Sequence, residues 1–178
     1  MLNERWKIVT DYPLYEVSNM GRVRNSRSGR IMALARHADS GWYYVGLSRN
    51  GKQTNIPVSR LVSDAFMREP LDPDTSILHR DGDRSNNAVN NLVWKPRWFA
   101  VMYMRQMQDP KYHRIKPFMS MKTKKVFDSI AHFASVTLVL PSAVEHALNG
   151  VDRLYFPRYG SIGYPDRILH YSREDRSI

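Results

Sequence analysis

The sequence predicts an α+β protein with a small antiparallel sheet at the N-terminus, a central strand-loop-strand-helix unit, and a helix-turn-helix-like module near the C-terminus. Three observations lead there. The early residues alternate short apolar runs with glycine and asparagine turns, which is strand and hairpin patterning. From Val58 the apolar spacing becomes helical, and past Asp128 two short apolar stripes each follow a capping signal.

Taken in order, Val23 and residues 31–34 flank Asn25-Ser26-Arg27-Ser28-Gly29, a hairpin loop in which Gly29 supplies the positive φ. Tyr43, Tyr44, Val45 and Leu47 then run into Arg49-Asn50-Gly51-Lys52, where Asn-Gly favours a two-residue type I′ turn. Leu61, Val62, Ala65 and Phe66 form one stripe of a helix expected to stop near Glu69-Pro70. Ile77-Leu78-His79 reads as a short strand, Asp81-Gly82-Asp83 as a turn, residues 85–91 as a polar loop, and Leu92-Val93-Trp94 as a second strand. Pro96 suits the first position of a helix whose inner face is Phe99, Met102, Tyr103 and Met107. Asp128 or Ser129 caps the next helix, with Ile130, Phe133 and Ala134 inward. Ser142-Ala143-Val144-Glu145 reads as a capping box opening the last one, with Val144 and Leu148 inward and Gly150 as the stop.

These elements divide the chain into an N-terminal sheet module (1–57), a core with its preceding helix (58–108), a basic connector (109–125), a helical module (126–168) and a tail (169–178). The net charge of +10 over 178 residues, with a pI near 10.0, favours polyanionic partners. Charge is unevenly placed: residues 1–60 carry 10 basic and 4 acidic side chains, 61–100 carry 5 and 6, and 101–178 carry 12 and 7. Two basic flanks therefore enclose a slightly acidic centre. The absence of cysteine excludes disulfides, thiolate zinc sites, iron–sulfur clusters and a cysteine nucleophile. No apolar run nears the roughly 20 residues that span a bilayer and no signal-peptide pattern opens the chain, so the expectation is a soluble protein without membrane association.

The centre carries the chemistry. A histidine ending one strand, an asparagine opening the next and a helix behind them is what a one-metal nuclease needs: a base for water, a group that orients it, and a helix-borne ligand. The order His79, Asp81-Gly82-Asp83, Asn86-Asn87, Asn91-Leu92 and Trp94 resembles the HNH signature, the ββα-metal core of phage-type homing endonucleases. The opening Glu4, Trp6-Lys7, Tyr12-Pro13, Tyr15-Glu16-Val17-Ser18-Asn19 and Gly21-Arg22-Val23-Arg24 is similar to the nuclease-associated modular domain that precedes such cores. Arg60-Leu61-Val62 with Ala65-Phe66 matches the intervening helix. Residues 127–131 with Ala134, Ser142 and Leu148-Asn149-Gly150 are similar to the family's C-terminal helical DNA-binding repeat.

The resemblance implies double-stranded DNA as partner, no small-molecule substrate, a monomer, and the cytoplasm, that of the host for a phage gene. It places His79 as general base and Asn91 as the asparagine that fixes the imidazole, with magnesium or another divalent cation as cofactor. Three positions depart from it. Where relatives carry a metal-binding aspartate before the histidine and an Asn or His on the helix, this chain has Leu78 and Ala100, and Ser59 stands where a histidine is common. Asp81 and Asp83 are the remaining candidates for the ion; their other role is to shape an Asp-Gly-Asp turn.

Candidate phosphate contacts are Arg22, Arg24, Arg27, Arg30 and Arg36 on the N-terminal sheet, with Lys52, Lys122, Lys124 and Lys125; the sheet arginines are equally readable as a solvated face. Ser142, Ala143, His146 and Asn149 would present the last helix to base edges. Two functions fit: an HNH endonuclease that nicks or cuts DNA with a divalent ion, or a relic that acts by binding alone. A more distant third is RNA binding, with Trp42, Tyr43 and Tyr44 stacking on bases.

Overall fold

A computed structural model describes residues 3–150 and 162–163. The chain forms two compact units, Met1–Ala100 and Val101–Ile178. The tail at 169–178 and most of 151–168 lie outside the described residues.

In the first unit, β1 (Trp6–Val9), β2 (Tyr12–Ser18) and β3 (Val23–Asn25) form one antiparallel sheet, and β4 (Ala35–Arg36), β5 (Tyr43–Arg49) and β6 (Lys52–Pro57) a second. The expected hairpins are present. Asn25 donates its N–H to the Arg30 carbonyl at 2.9 Å, and Gly29 sits at φ +70. Arg49 faces Lys52 across a turn in which Asn50 and Gly51 both have positive φ (52° and 74°), as a type I′ turn requires. Valines and a leucine on both sheets pack with helix α1 (Val58–Phe66) in one core, in which Val17, Val23, Val45, Leu47, Val58 and Val62 are fully buried. Burying each such side chain stabilises the fold by about 1.5–3 kcal/mol over leaving it exposed.

Helix α1 ends three residues earlier than its sequence suggests. Met67 turns extended (φ −106, ψ 155) and packs against the core, an apolar contact that prolonging the helix to Glu69 would forgo. Strands β7 (Thr75–His79) and β8 (Leu92–Pro96) then pair antiparallel, with His79 opposite Leu92. Pro96 closes β8 opposite Thr75, and α2 (Arg97–Met107) begins after it, so the proline is a strand-end residue and not the first residue of the helix. The inner face of α2 is Ala100, Tyr103, Met104 and Met107, a strict i, i+3, i+4, i+7 stripe, whereas the expected Met102 is 44% exposed.

In the second unit, β9 (Phe118–Ser120) lies between β10 (Val126–Phe127) and β11 (Ile162–Gly163), and α3 (Ile130–Thr137) and α4 (Pro141–Leu148) pack beside this sheet. Phe118, Phe127 and Phe133 form its centre, the last two edge to face at 4.8 Å. Residues 118–120 of the basic connector thus furnish the middle strand of this sheet. Ser129 caps α3 as expected, accepting from the His132 N–H at 3.2 Å. Helix α4 differs: it opens on Pro141, and Ser142 is inside it instead of capping it. Its first turn is capped from α2, where Gln106 accepts from the Ser142 N–H through Oε1 and donates to its hydroxyl through Nε2, both at 3.0 Å. Glu145, freed from the capping box, accepts from Lys111 Nζ at 3.1 Å and from the Tyr112 hydroxyl at 3.3 Å. No described helix is long and apolar enough to cross a membrane.

Candidate active site and nucleic-acid interface

The β7–β8 hairpin positions the site. His79 is the last residue of β7, and the chain turns away from it through Gly82, whose φ of +78 lets its N–H return to the His79 carbonyl at 3.1 Å. The loop between the strands is held by asparagines. Asn91 accepts from the Asp81 N–H at 3.1 Å through Oδ1 and donates through Nδ2 to Asp81 Oδ1 at 2.9 Å and to the Asn86 carbonyl at 2.8 Å. With that set of bonds Asn91 ties the loop to the start of β8. It does not hold the imidazole, which corrects the role the sequence assigned to it.

Asn87 touches His79 instead. Its Nδ2 donates to the carbonyls of Arg84 (3.4 Å) and Ser85 (3.1 Å), which turns Oδ1 toward His79 Nε2 at 3.1 Å. An amide oxygen can only accept, so Nε2 carries the proton and Nδ1 is left with a bare lone pair. That is the tautomer a general base needs. Yet Nδ1 is buried without a hydrogen-bond partner, and His79 as a whole has no exposed surface. The Trp42 ring stands edge-on to the imidazole at 5.3 Å. Over Trp42 lies the Arg84 guanidinium at 5.5 Å, which also donates to the Ser40 carbonyl. Burial pushes the His79 pKa below its ordinary value, against the opposing influence of Asn87, Asp81 and Asp83 and with a smaller push from Arg84, so the ring is neutral at pH 7.

The sequence contains both Asn87 and Trp42, and only one left a trace. The Asn86-Asn87 pair eight residues past His79 is a local signal, while nothing near Trp42 marks it as the histidine's neighbour.

The donor set does not fit a divalent cation. Leu78 is fully buried and Ala100 is 5% exposed, and neither bears a donor atom. Asp81 Oδ1 accepts from the Asp83 N–H and from Asn91, and its Oδ2 accepts from Asn86 Nδ2 at 2.7 Å. Asp83 accepts from the Ser85 N–H at 2.8 Å; the Ser85 hydroxyl, ahead of that N–H, holds its carboxyl below the usual range. These carboxylates serve the turn, and among the described residues no three His, Asp or Glu side chains gather as a metal group.

Of the expected phosphate contacts, two are committed elsewhere. Arg22 pairs with Glu4 and lies 5.6 Å over the Trp6 ring; Arg24 bonds Glu16 at 2.6 Å and lies 4.2 Å over the same ring. They brace their own sheet, and Arg22 keeps the Glu4 carboxyl below its ordinary pKa. Arg27 and Arg30 on the first hairpin loop, Lys52 on the second, and Lys122, Lys124 and Lys125 on the β9–β10 turn are exposed. His146 on α4 and Asn149 just past its end are exposed, while Ser142 is engaged by Gln106 and is not free to read a base.

Comparison with known proteins finds relatives of one kind. The NUMOD4 motif matches residues 4–48. The uncharacterized HNH endonuclease L245 of Acanthamoeba polyphaga mimivirus is 34% identical over 90 residues, covering 51% of this chain and 26% of that protein. The DNA endonuclease I-HmuI of Bacillus phage SP01 is 34% identical over 90 residues, 50% of this chain and 51% of its own. The H-N-H endonuclease F-TflII of Escherichia phage T5 is 30% identical over 92 residues, 51% of this chain and 47% of its own.

Over about half of its length the chain is similar to HNH endonucleases.

The match spans about half the length of the phage enzymes and a quarter of the mimivirus protein. A solved structure of DNA binding and cleavage by the HNH homing endonuclease I-HmuI shares the fold, with a TM-score of 0.51 and 24% identity over 90% of this chain and 97% of that one. The resemblance to phage-type HNH enzymes is thereby supported by motif, sequence and fold together, and the α+β reading with it.

Proposed function

We propose that this HNH-like chain binds double-stranded DNA, its cationic hairpin turns neutralising phosphates and its helical unit approaching base edges through His146 and Asn149. The observation that carries the reading is the state of Arg27, Arg30 and Lys52. They stand exposed at hairpin tips of the unit that holds His79, with no acid partner among the described residues. Arg22 and Arg24, by contrast, are neutralised within the fold. Cations kept clear of carboxylates are the ones that release counterions from a duplex, and this term supplies most non-specific affinity.

The similarity also brings a reaction, metal-dependent hydrolysis of a phosphodiester bond. Toward it this chain supplies the imidazole: Asn87 holds Nδ1 deprotonated, and burial keeps it neutral. Among the described residues it gathers no matching set of donors for the ion, and we infer function through binding. The protein is taken to act as a monomer in the cytoplasm.

Fluorescence anisotropy with a labelled duplex, titrated across salt concentration, tests DNA binding. The expected result is a steep linear fall of log affinity with log salt; a flat dependence overturns the phosphate-contact reading.

A further inference from the structure

We propose that the ββα unit of this protein recruits no divalent cation and acts as a metal-free structural core, with His79 serving as a packed internal link and the protein working on DNA by occupancy alone. This rests on the DNA-binding reading and deepens it.

A cation beside the imidazole needs oxygen donors around it. Magnesium demands near-octahedral oxygen donors and tolerates few substitutes, so at least one or two carboxylates or carbonyls must point at the same space as the phosphate. Beside His79 the two side chains best placed by sequence to do this end in methyl groups, Leu78 and Ala100. The two carboxylates of the loop accept bonds from Asp83, Asn91, Asn86 and Ser85, and drawing either onto an ion would break the turn that carries it.

The histidine itself is bound up in packing. Its Nε2–H secures Asn87, which in turn holds the Arg84 and Ser85 carbonyls, and its ring is covered by Trp42, itself under Arg84. Nδ1 is buried without a hydrogen-bond partner, so water or phosphate could reach it only if the side chains that bury it moved.

The test uses the full chain and manganese as the probe. Mn²⁺ is titrated with the protein, alone and with duplex DNA, while the EPR signal of the free ion is followed against a DNA-only control. No loss of signal beyond the control is expected, together with unchanged DNA binding in EDTA and no nicking of supercoiled plasmid with Mg²⁺ or Mn²⁺. Stoichiometric loss of the Mn²⁺ signal overturns the proposal, as does nicking that disappears in His79→Ala. A second arm restores donors with Leu78→Asp plus Ala100→Asn and is expected to gain Mn²⁺ uptake. Because Leu78 is fully buried, circular dichroism establishes that this variant is folded, and if it is not, the titration of the unmodified protein decides alone. Absence of DNA binding in the anisotropy assay would strike the DNA-binding reading, while the Mn²⁺ titration would still report on the cation.

Discussion

Gly21 abuts Asn87 so closely that a methyl group at its Cα would fall 2.8 Å from the Asn87 Cβ and 3.1 Å from its carbonyl carbon and oxygen. Beside this contact Val89 donates its N–H to the Asn19 carbonyl at 2.9 Å. The turn after β2, inside the segment that matches the NUMOD4 motif, is therefore the floor under the asparagine that holds His79. The N-terminal module of this chain thus supports the HNH-like loop directly.

Gly21→Ala is expected to be the most damaging glycine substitution at a turn. It combines a positive φ of +84 with a backbone and Cβ clash, where Gly29 and Gly51 have positive φ but open space around them. Strain of this kind costs about 1–3 kcal/mol. Thermal melts of the three alanine variants should show the largest fall in Tm for Gly21; equal shifts would mean that the approach to Asn87 carries no weight.

Asn87→Ala and Asn91→Ala should separate the two asparagines. Removing Asn87 strands the Nε2–H and releases the tautomer, at about 1–3 kcal/mol. In ¹⁵N NMR the His79 ring nitrogens should then change from one neutral tautomer to a mixture. Asn91→Ala should leave the tautomer alone and speed hydrogen exchange at the Asp81 amide, which it now protects.

Acid should weaken the fold through His79 before the carboxylates respond. Its native pKa lies below the ordinary histidine value of 6.5, so the unfolded chain binds the proton first as pH falls. The stabilisation is whole above about 6.5 and is lost as pH drops from there toward the native value. Asp83 and Glu4, held low in the native state, lose theirs only below the usual carboxylate range. Denaturant titrations of the unmodified protein and of a folded His79→Gln variant should differ in slope between about pH 4 and 6.5, the variant being flatter. Identical slopes would mean that the imidazole is not buried as described.

The arginines should sort into two kinds. Arg27→Gln, Arg30→Gln and Lys52→Gln should each lower the salt slope of DNA binding by about 1 with little effect on Tm. Arg24→Gln should lower Tm, since it removes the bond to Glu16 and the cation over Trp6, without a comparable change in slope. The reverse pattern would move the DNA contact to the β1–β3 sheet.

Gln106→Ala should destabilise the second unit by about 0.5–2 kcal/mol, the cost of losing a helix cap. The hydroxyl and N–H of Ser142 lose their α2 partner in that variant, and faster exchange at the Ser142 amide would register it. Unchanged exchange would mean that water caps α4 equally well.

The local part of this protein is legible in its residues alone. The Asn50-Gly51 turn, the Gly82 turn, the Ser129 cap and the apolar stripe of α1 each depend on residues within a few positions of one another, where side-chain type acts directly on φ, ψ and the nearest free N–H. The motif order around His79 was equally legible, and with it the similarity to HNH endonucleases. What only the tertiary structure decided is which groups meet. Asn87 and not Asn91 reaches the imidazole because the loop folds back over it. Trp42 covers the histidine, Gly21 supports Asn87, and Gln106 caps a helix 36 residues away. Met104 turns inward while Met102 stays in solvent because α2 meets its core along a face that a shorter apolar count could not orient. The exposure of a cation is set the same way, since whether Arg24 or Arg27 is open to a phosphate depends on whether the paired strand places a glutamate beside it.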